Sequence, residues 1–250
     1  MSNERIIGAG VRTGVFIKTA SPQIVEVLGT TKLDFAVVDA EHAPFDRNML
    51  DLMMMAGRAA NLPLLVRVPD KSAATILQVL DLGAHGILAP HVDCVDEARS
   101  IVARARYRGG ERGYSGSQRS SGYGSLGMKT ALDAGDNTVV MCQIESVAGL
   151  AAAAEIAALP GVDALFVGRA DLALAMGFED IRAPAVTEAT IRIIRTAVAA
   201  GKMAALFIPT VAEAQQFIAE GARSFVIGSD QSMLREGASR VAAVSTGERK

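Results

Sequence analysis

Eight short apolar segments recur along the chain, and each is followed by a longer segment whose apolar residues have helical spacing. The apolar segments are rich in β-branched residues, as strands buried on both faces are. They cover residues 12–18, 35–40, 63–68, 86–92, 138–145, 164–168, 203–209 and 224–230. The helical segments cover residues 21–31, 46–61, 71–84, 94–107, 147–161, 187–201, 210–222 and about 231–243. Eight strand–helix units in 250 residues predict an α/β fold, a (β/α)8 TIM barrel, with one domain spanning residues 1–250.

The main alternative to a barrel is an open, doubly wound sheet, which uses the same alternation of strands and helices. An open sheet that binds a dinucleotide normally carries a glycine-rich turn after its first strand. Here that position holds KTASP, residues 18–22, which contains no glycine. We therefore predict the closed barrel and expect no organic cofactor.

The composition argues against nucleic-acid and membrane partners. The formal net charge is −2 and the pI is about 6.0, so the chain has no basic field that would attract nucleic acid or anionic lipid. No apolar run approaches the roughly 20 residues of a membrane span, and the N-terminal stretch MSNERIIGAG lacks the apolar core of a signal peptide. We expect a cytoplasmic protein in which Cys94 and Cys142 are buried free thiols.

One long segment between the fourth and fifth predicted strands interrupts the alternation. Residues 107–137 are rich in Gly, Ser and Arg. A loop of this length inside a compact domain usually has a function, which favours a lid or a binding loop. The alternative is a mobile surface excursion without a functional role.

Polar residues cluster at the predicted carboxyl ends of the strands. A barrel enzyme places its chemistry there, where each strand passes into the following loop. The residues are Asp39, Glu41, His42, Arg67, His91, Gln143, Glu145, Gly168, Arg169, Asp171, Ser229 and Asp230. Their convergence predicts an active site at this end of the barrel.

Two acids follow adjacent predicted strands, Glu145 after the fifth and Asp171 after the sixth. Two carboxylates with water and substrate oxygens form a site for Mg²⁺ or Mn²⁺, whereas more nitrogen or sulfur ligands would favour Zn²⁺. Either acid could instead lie in the first turn of the next helix, where the helix dipole favours negative charge. As a pair, they favour metal binding.

Arg67 lies in an apolar strand, where an unpaired charge has a high free-energy cost. Its planar guanidinium must therefore meet an anion, either a protein carboxylate or a ligand. The segment VGRAD, residues 167–171, turns from a strand into a helix. Such a turn could direct the amides of Ala170 and Asp171 at a substrate carboxylate.

His42 is a candidate general base because an imidazole titrates near neutral pH, and Asp39 could accept a proton from its ring. A structural histidine is the alternative, and it is the favoured interpretation for His85 and His91. Lys18 is the only lysine at a predicted strand end. A Schiff-base mechanism needs a desolvated lysine in the site, and the absence of one after the sixth strand disfavours it.

Over nearly the whole chain, the order and spacing of these motifs resemble the metal-dependent class II pyruvate aldolases of the HpcH/HpaI family. The matching stretches are DFAVVDAEHAP, LVRVP, LDLGAHGILAP, RG in the long segment, QIES, GVDALFVGRADLALAMG and GSD. The type activity of that family is 4-hydroxy-2-oxoheptanedioate aldolase, in aromatic catabolism. The resemblance implies a phosphoenolpyruvate/pyruvate-type barrel, assembled as a trimer or a homohexamer with the last helix exchanged between subunits.

The resemblance also implies which residues bind the metal and the substrate. Glu145 and Asp171 match the metal carboxylates of the family. Gln143 matches a polar residue that lines the pyruvate and metal site. Gly168, Ala170 and Asp171 match the turn that binds the substrate carboxylate.

A second group of residues matches the catalytic positions of the family. Arg67 matches the arginine that binds the keto and enolate oxygens of pyruvate. His42 matches the catalytic base, and Asp39 matches its partner. Asp81 matches an acid that reaches the site of a neighbouring subunit. Family members often have Pro where this chain has Arg169, which could contact a second anion, form an ion pair or face solvent.

The activity implied by the resemblance is reversible cleavage of a 4-hydroxy-2-oxo acid to pyruvate and a small aldehyde. The intermediate would be a pyruvate enolate stabilised by Mg²⁺, Mn²⁺ or Co²⁺, with Zn²⁺ less favoured. The nearer alternative is a related metal-dependent lyase that acts on a CoA ester, or a decarboxylase. The more distant one is a non-catalytic barrel that binds a small carboxylate.

Overall fold

Eight parallel strands, hydrogen-bonded in chain order, form a closed barrel in which β8 pairs with β1. The strands are β1 Arg12–Ile17, β2 Ala36–Asp39, β3 Leu64–Arg67, β4 Gly86–Ala89, β5 Val139–Ile144, β6 Ala164–Val167, β7 Met203–Ile208 and β8 Ser224–Ser229. The computed structural model describes residues 3–246. The predicted barrel is confirmed, while the predicted domain bounds, 1–250, extend beyond the described residues at both ends.

Helices surround the barrel and alternate with its strands. They are α1 Glu4–Ile7, α2 Pro22–Gly29, α3 Arg47–Ala59, α4 Ala73–Asp81, α5 Val95–Ala105, α6 Met128–Asp136, α7 Val147–Ala158, α8 Arg169–Ala175, α9 Pro184–Ala199, α10 Ala214–Ala219 and α11 Asp230–Thr246. Each predicted helical segment overlaps one of these helices. Helices α1, α6 and α8 lie outside the predicted segments. Within residues 3–246, no helix combines the length and the apolar character that crossing a membrane requires.

The strands bury side chains on both faces, which explains why their sequences are continuous apolar runs. One face packs against the helices. The other fills the barrel interior with Phe16, Phe35, Val37, Leu65, Leu88, Met141, Phe166 and Val226, among others. A Cβ on Gly14 of β1 would lie 2.6 Å from the ring of Phe35, so glycine at this point makes room for the aromatic ring.

The long segment 107–137 lies at the amino-terminal end of the barrel strands, because it connects the end of α5 to the start of β5. It contains a 3-10 turn, Arg119–Gly124, and helix α6. Arg119 of this segment pairs with Asp51 of α3 at 2.5 Å. This position does not fit a lid over the carboxyl ends of the same barrel, and any other function of the segment stays a prediction.

The two cysteines differ in exposure. Cys142 in β5 is a fully buried free thiol, as predicted, and burial raises its pKa to about 12. Cys94 is exposed, so the prediction of a buried thiol is wrong there. It immediately precedes the first residue of α5, where the chain lies at the surface between β4 and that helix.

Candidate active site

A cavity of about 690 Å³ opens at the carboxyl ends of the strands. Its wall comes from the ends of most of the strands and from α11. Of the residues singled out in the sequence, the following line it: Lys18, His42, Arg67, Gln143, Gly168, Arg169, Ala170, Asp171 and Ser229. The predicted convergence of polar residues at this end of the barrel is therefore present.

Arg67 is held by a buried carboxylate. Asp39 lies directly opposite it in the β2–β3 pairing, and Arg67 donates from Nε to Oδ1 at 2.9 Å and from Nη2 to Oδ2 at 2.7 Å. The guanidinium also lies 4.6 Å from the centre of the Phe16 ring. Burial alone would raise the pKa of Asp39, but the hydrogen bonds and charge of Arg67 outweigh burial and lower the pKa. The anion that Arg67 meets is therefore a protein carboxylate, which fixes the guanidinium at the cavity wall.

Lys18 reaches the same acid from the end of β1. Its Nζ lies 3.2 Å from Asp39 Oδ2, and its side chain is 31% exposed at the cavity wall. The turn that carries Lys18 is fixed by Asp230, the first residue of α11. Asp230 accepts hydrogen bonds from the amides of Lys18 and Thr19 at 2.8 and 3.0 Å. Asp230 thus joins the beginning of α11 to the end of β1.

Glu41 lies between a guanidinium and two imidazoles. Its Oε2 is 3.3 Å from Arg67 Nε and 3.6 Å from His42 Nε2, and its Oε1 is 3.5 Å from His91 Nε2. Asp39, in contrast, contacts His42 through the backbone, since the His42 amide donates to Oδ1 at 3.2 Å. The predicted contact between the Asp39 carboxylate and the His42 ring is therefore wrong. Arg67 occupies both oxygens of Asp39, and Glu41 is the acid that faces the ring.

Two further acids interact at the ends of β5 and β6. Glu145 is buried and accepts a hydrogen bond from the His91 amide at 2.7 Å and another from the side-chain amide of Gln143. Burial raises the pKa of Glu145, the negative charge of Asp171 adds to the rise, and these two hydrogen bonds oppose it. A Cβ on Gly168 would lie 2.5 Å from Glu145 Oε2, so the glycine leaves room for the carboxylate.

The oxygen atoms around Glu145 suit a hard divalent cation. Gln143 Oε1 is buried and accepts no hydrogen bond from a described residue. This oxygen and the carboxylates of Glu145 and Asp171 are ligands of the kind that Mg²⁺ and Mn²⁺ prefer. Among the described residues, no three His, Cys, Asp or Glu side chains surround one metal position. A cation here would therefore take its other ligands from water and substrate.

Arg169 forms an ion pair at the edge of the cavity. Its side chain is 3% exposed, Nη1 lies 2.6 Å from Glu213 Oε2, and Nη2 donates to the Ile181 carbonyl at 3.0 Å. Glu213 follows β7, in the 3-10 turn Val211–Glu213. The pair therefore connects the turn after β6 to the loop after β7. Of the three alternatives open from the sequence, the structure selects the ion pair.

Asp81 does not join the other candidate residues. It ends α4, where it accepts hydrogen bonds from Arg112 Nη2 at 2.9 Å and from Gln118 Nε2 at 3.3 Å. A helix that follows a barrel strand runs back towards the amino-terminal end, so its last residue lies away from the carboxyl ends of the same barrel. A contact between Asp81 and a neighbouring subunit stays a prediction.

The sequence interpretation undervalued His91, for which it favoured a structural role. Its Nδ1 lies 3.2 Å from Glu145 Oε1, and its backbone has a φ of +50°. The available signal was its position two residues after the end of β4, at the same end of the barrel as the other candidate residues. His85 agrees with the structural interpretation, because its Nδ1 accepts the Leu64 amide at 3.3 Å and burial lowers its pKa to about 4.

The chain is similar to known proteins along almost its whole length. The family model described as HpcH/HpaI aldolase/citrate lyase matches residues 12–237. A 5-keto-4-deoxy-D-glucarate aldolase from Salmonella arizonae is 36% identical over 234 residues, which are 93% of this chain and 91% of that protein. A solved structure of an HpcH/HpaI aldolase/citrate lyase family protein from Burkholderia cenocepacia has a TM-score of 0.91 at 31% identity, covering 98% of each chain. The citrate synthase SbnG has a TM-score of 0.86 at 27% identity, covering 95% of this chain and 94% of that one.

Proposed function

Because the chain belongs to the HpcH/HpaI aldolase/citrate lyase family, we propose that it is a divalent-metal-dependent aldolase that reversibly cleaves 4-hydroxy-2-oxo acids to pyruvate and an aldehyde. The predicted family is confirmed, and so is the predicted enzyme class, a carbon–carbon lyase. The observation that carries this proposal is that Arg67, Gln143 and Asp171 line the same cavity. A fixed cation and oxygen ligands are the groups that stabilisation of an enolate requires.

The 2-oxo acid end of the substrate fits between Arg67 and the turn after β6. Arg67 Nη1 donates a hydrogen bond to neither Asp39 nor Glu41, which leaves that nitrogen for the 2-oxo oxygen. Negative charge develops on this oxygen as the carbon–carbon bond breaks, so a preorganised donor there lowers the barrier. The amides of Ala170 and Asp171 would hold the substrate carboxylate.

In the proposed reaction, His42 accepts the proton of the 4-hydroxyl group, directly or through a water. The C3–C4 bond then breaks, its electron pair passes into the enolate of pyruvate, and the C4 oxygen becomes the aldehyde carbonyl. A proton added at C3 completes pyruvate. The His42 ring is 53% exposed at the cavity and lies 3.6 Å from Glu41, which would orient it.

Glu145 and Asp171 would hold the divalent cation, with the amide oxygen of Gln143 beside them. A bound Mg²⁺, Mn²⁺ or Co²⁺ supplies Lewis-acid polarisation of the 2-oxo group. Zn²⁺ fits this set less well because the three residues offer oxygen ligands only.

The curated relatives suggest the first substrate to test. Numbered from its keto-acid end, 5-keto-4-deoxy-D-glucarate is itself a 4-hydroxy-2-oxo acid. Cleavage between C3 and C4 would release pyruvate and a three-carbon hydroxy-aldehyde acid. We therefore propose that compounds of this class are substrates.

Metal removal and isotope exchange test the function. EDTA should abolish cleavage, and Mg²⁺, Mn²⁺ or Co²⁺ should restore it; full activity after exhaustive chelation would exclude the metal role.

Metal-loaded protein should also exchange the methyl protons of pyruvate in D₂O, as followed by NMR. Neither exchange nor pyruvate release from a panel of 4-hydroxy-2-oxo acids would exclude the aldolase. Turnover of a CoA ester, decarboxylation, or citrate formation would then identify the related lyase or synthase instead.

We also propose that the protein is a homo-oligomer, a trimer or a hexamer, in which α11 is exchanged between subunits. Leu234, Val241 and Val244 of α11 are 72%, 74% and 84% exposed in the single chain, and a partner subunit would cover them. Light scattering on the intact protein measures the assembly.

The free state of Cys94 and Cys142 supports a reducing compartment such as the cytoplasm.

A further inference from the structure

Asp39 contacts two cationic side chains, Arg67 and Lys18, and Lys18 has no part in the reaction described so far. Asp39 is fully buried and accepts the two hydrogen bonds of Arg67. Lys18 Nζ lies 3.2 Å from the same Oδ2 atom that Arg67 Nη2 contacts. Because the Lys18 side chain also lines the cavity, its charge lies close to the space where a substrate would bind.

Arg67 faces two acids at once. Asp39 takes two of its hydrogen bonds, and Glu41 Oε2 lies 3.3 Å from its Nε. Two carboxylates around one guanidinium leave a net negative charge, which would weaken the attraction of Arg67 for a developing oxyanion. The positive charge of Lys18 offsets this excess, so that the group of Asp39, Glu41, Arg67 and Lys18 is formally neutral. Asp39 and Arg67 are buried and the Glu41 side chain is 13% exposed, so solvent screens the charges of these three residues weakly.

We propose that Lys18 is a positioning residue for enolate stabilisation. By sharing Asp39, its ammonium group leaves more of the positive charge of Arg67 available to the substrate oxygen. The inference rests on the proposed aldolase function, since it concerns the charge that develops in that reaction.

The backbone around Lys18 supports a fixed role of this kind. Asp230, which directly follows β8, accepts hydrogen bonds from the amides of Lys18 and Thr19 at 2.8 and 3.0 Å and so holds the turn after β1 in place. A Schiff-base role fits less well, because Nζ is engaged by Asp39 and is not free to attack a carbonyl. Direct contact between Lys18 and an anionic group of the substrate would give a different kinetic pattern, which the choice of aldehyde distinguishes.

Three variants test the proposal in the Mn²⁺-loaded enzyme. Lys18→Met removes the charge but retains a long side chain, and Lys18→Arg retains the charge. Lys32→Met removes an exposed lysine in the connection between α2 and β2 and is the matched control. Aldol synthesis from pyruvate would be measured with one neutral and one carboxylate-bearing aldehyde. Pyruvate methyl-proton exchange would be measured in parallel.

Lys18→Met should lower kcat about tenfold with both aldehydes, less than the ~10²–10³ lost with a direct oxyanion donor. KM should change little, Lys18→Arg should recover most of the rate, and Lys32→Met should match wild type. An unchanged kcat in folded Lys18→Met would overturn the inference. A rise in KM confined to the acidic aldehyde would also overturn it, because that pattern marks direct contact. Should Lys18→Met fail to fold by circular dichroism, Lys18→Gln takes its place under the same criteria.

Oxalate binding separates this inference from the proposed function. Oxalate is a planar dianion that resembles the enolate of pyruvate, and calorimetry measures its Kd without turnover. Its Kd should rise in Lys18→Met in proportion to the loss of kcat. If wild type does not exchange pyruvate protons but its oxalate affinity depends on Lys18, the aldolase function fails and the charge role stands. Oxalate affinity independent of Lys18 would exclude the charge role.

Discussion

The contact between Arg67 and Asp39 determines which guanidinium nitrogen is left for a substrate. Arg67→Lys retains a positive charge, but an ammonium cannot reproduce the two parallel hydrogen bonds to Asp39 at 2.9 and 2.7 Å. We expect both Arg67→Lys and Arg67→Ala to lower kcat/KM for cleavage by ~10²–10³. Pyruvate proton exchange should fall in parallel. Exchange at the wild-type rate would show that Arg67 does not bind the enolate oxygen.

His42 is the residue whose removal should affect proton transfer most directly. His42→Ala should lower the kcat of cleavage by ~10²–10⁴, the usual contribution of a general acid–base group. Glu41→Gln retains a side chain of the same size beside the ring but removes its charge. It should have a smaller effect, because Glu41 orients the ring at 3.6 Å and does not itself take the proton. Steady-state cleavage assays check both, and an unchanged kcat in His42→Ala would remove His42 from the mechanism.

At the level of elements, the Arg169–Glu213 ion pair supports the turn after β6 by tying it to the loop after β7. Arg169→Met removes the pair but retains a long side chain next to Phe217, whose ring centre lies 5.0 Å from the guanidinium. We expect the KM for pyruvate to rise several-fold with a smaller change in kcat, because the amides of Ala170 and Asp171 lose their support. Steady-state kinetics with a saturating aldehyde measure both constants.

The matched control for this prediction is Arg182→Gln. Arg182 Nη2 lies 3.3 Å from the other oxygen of Glu213, but its side chain is 67% exposed. Exposed ion pairs contribute little to stability, so Arg182→Gln should have the KM and kcat of the wild type. If Arg169→Met lowers the melting temperature and leaves KM unchanged, the pair serves stability alone.

The strands and most helices were predictable because their apolar periodicity reflects burial in a barrel. The placement of segment 107–137 was also accessible, since a connection from a helix to a strand lies at the amino-terminal end. The pairing of charged groups within the site was not. Strand ends identified Asp39, Glu41 and His42 as neighbours. Which acid faces the ring depends on the register of β2 against β3, which places Arg67 opposite Asp39. Local sequence does not contain that register.

For the molecule as a whole, a buried histidine should make folding sensitive to mild acid. Burial lowers the pKa of His85 to about 4, from an ordinary value near 6.5. Above pH 6.5 the ring is neutral in both the folded and the unfolded chain. Between pH 6.5 and 4 the unfolded chain takes up a proton that the folded chain does not, so the free energy of unfolding falls. The loss reaches about 3 kcal/mol at most.

His85→Gln tests this prediction, because an amide side chain retains an acceptor for the Leu64 amide but does not titrate in this range. Urea unfolding at several pH values between 7.5 and 4.5 gives the free energy of unfolding for each protein. Wild type should lose stability steadily as the pH falls, whereas His85→Gln should lose clearly less over the same interval. His42→Gln is the matched control, since it removes a histidine whose side chain is 53% exposed. Equal losses in wild type and His85→Gln would show that proton uptake by His85 does not drive the acid sensitivity of the fold.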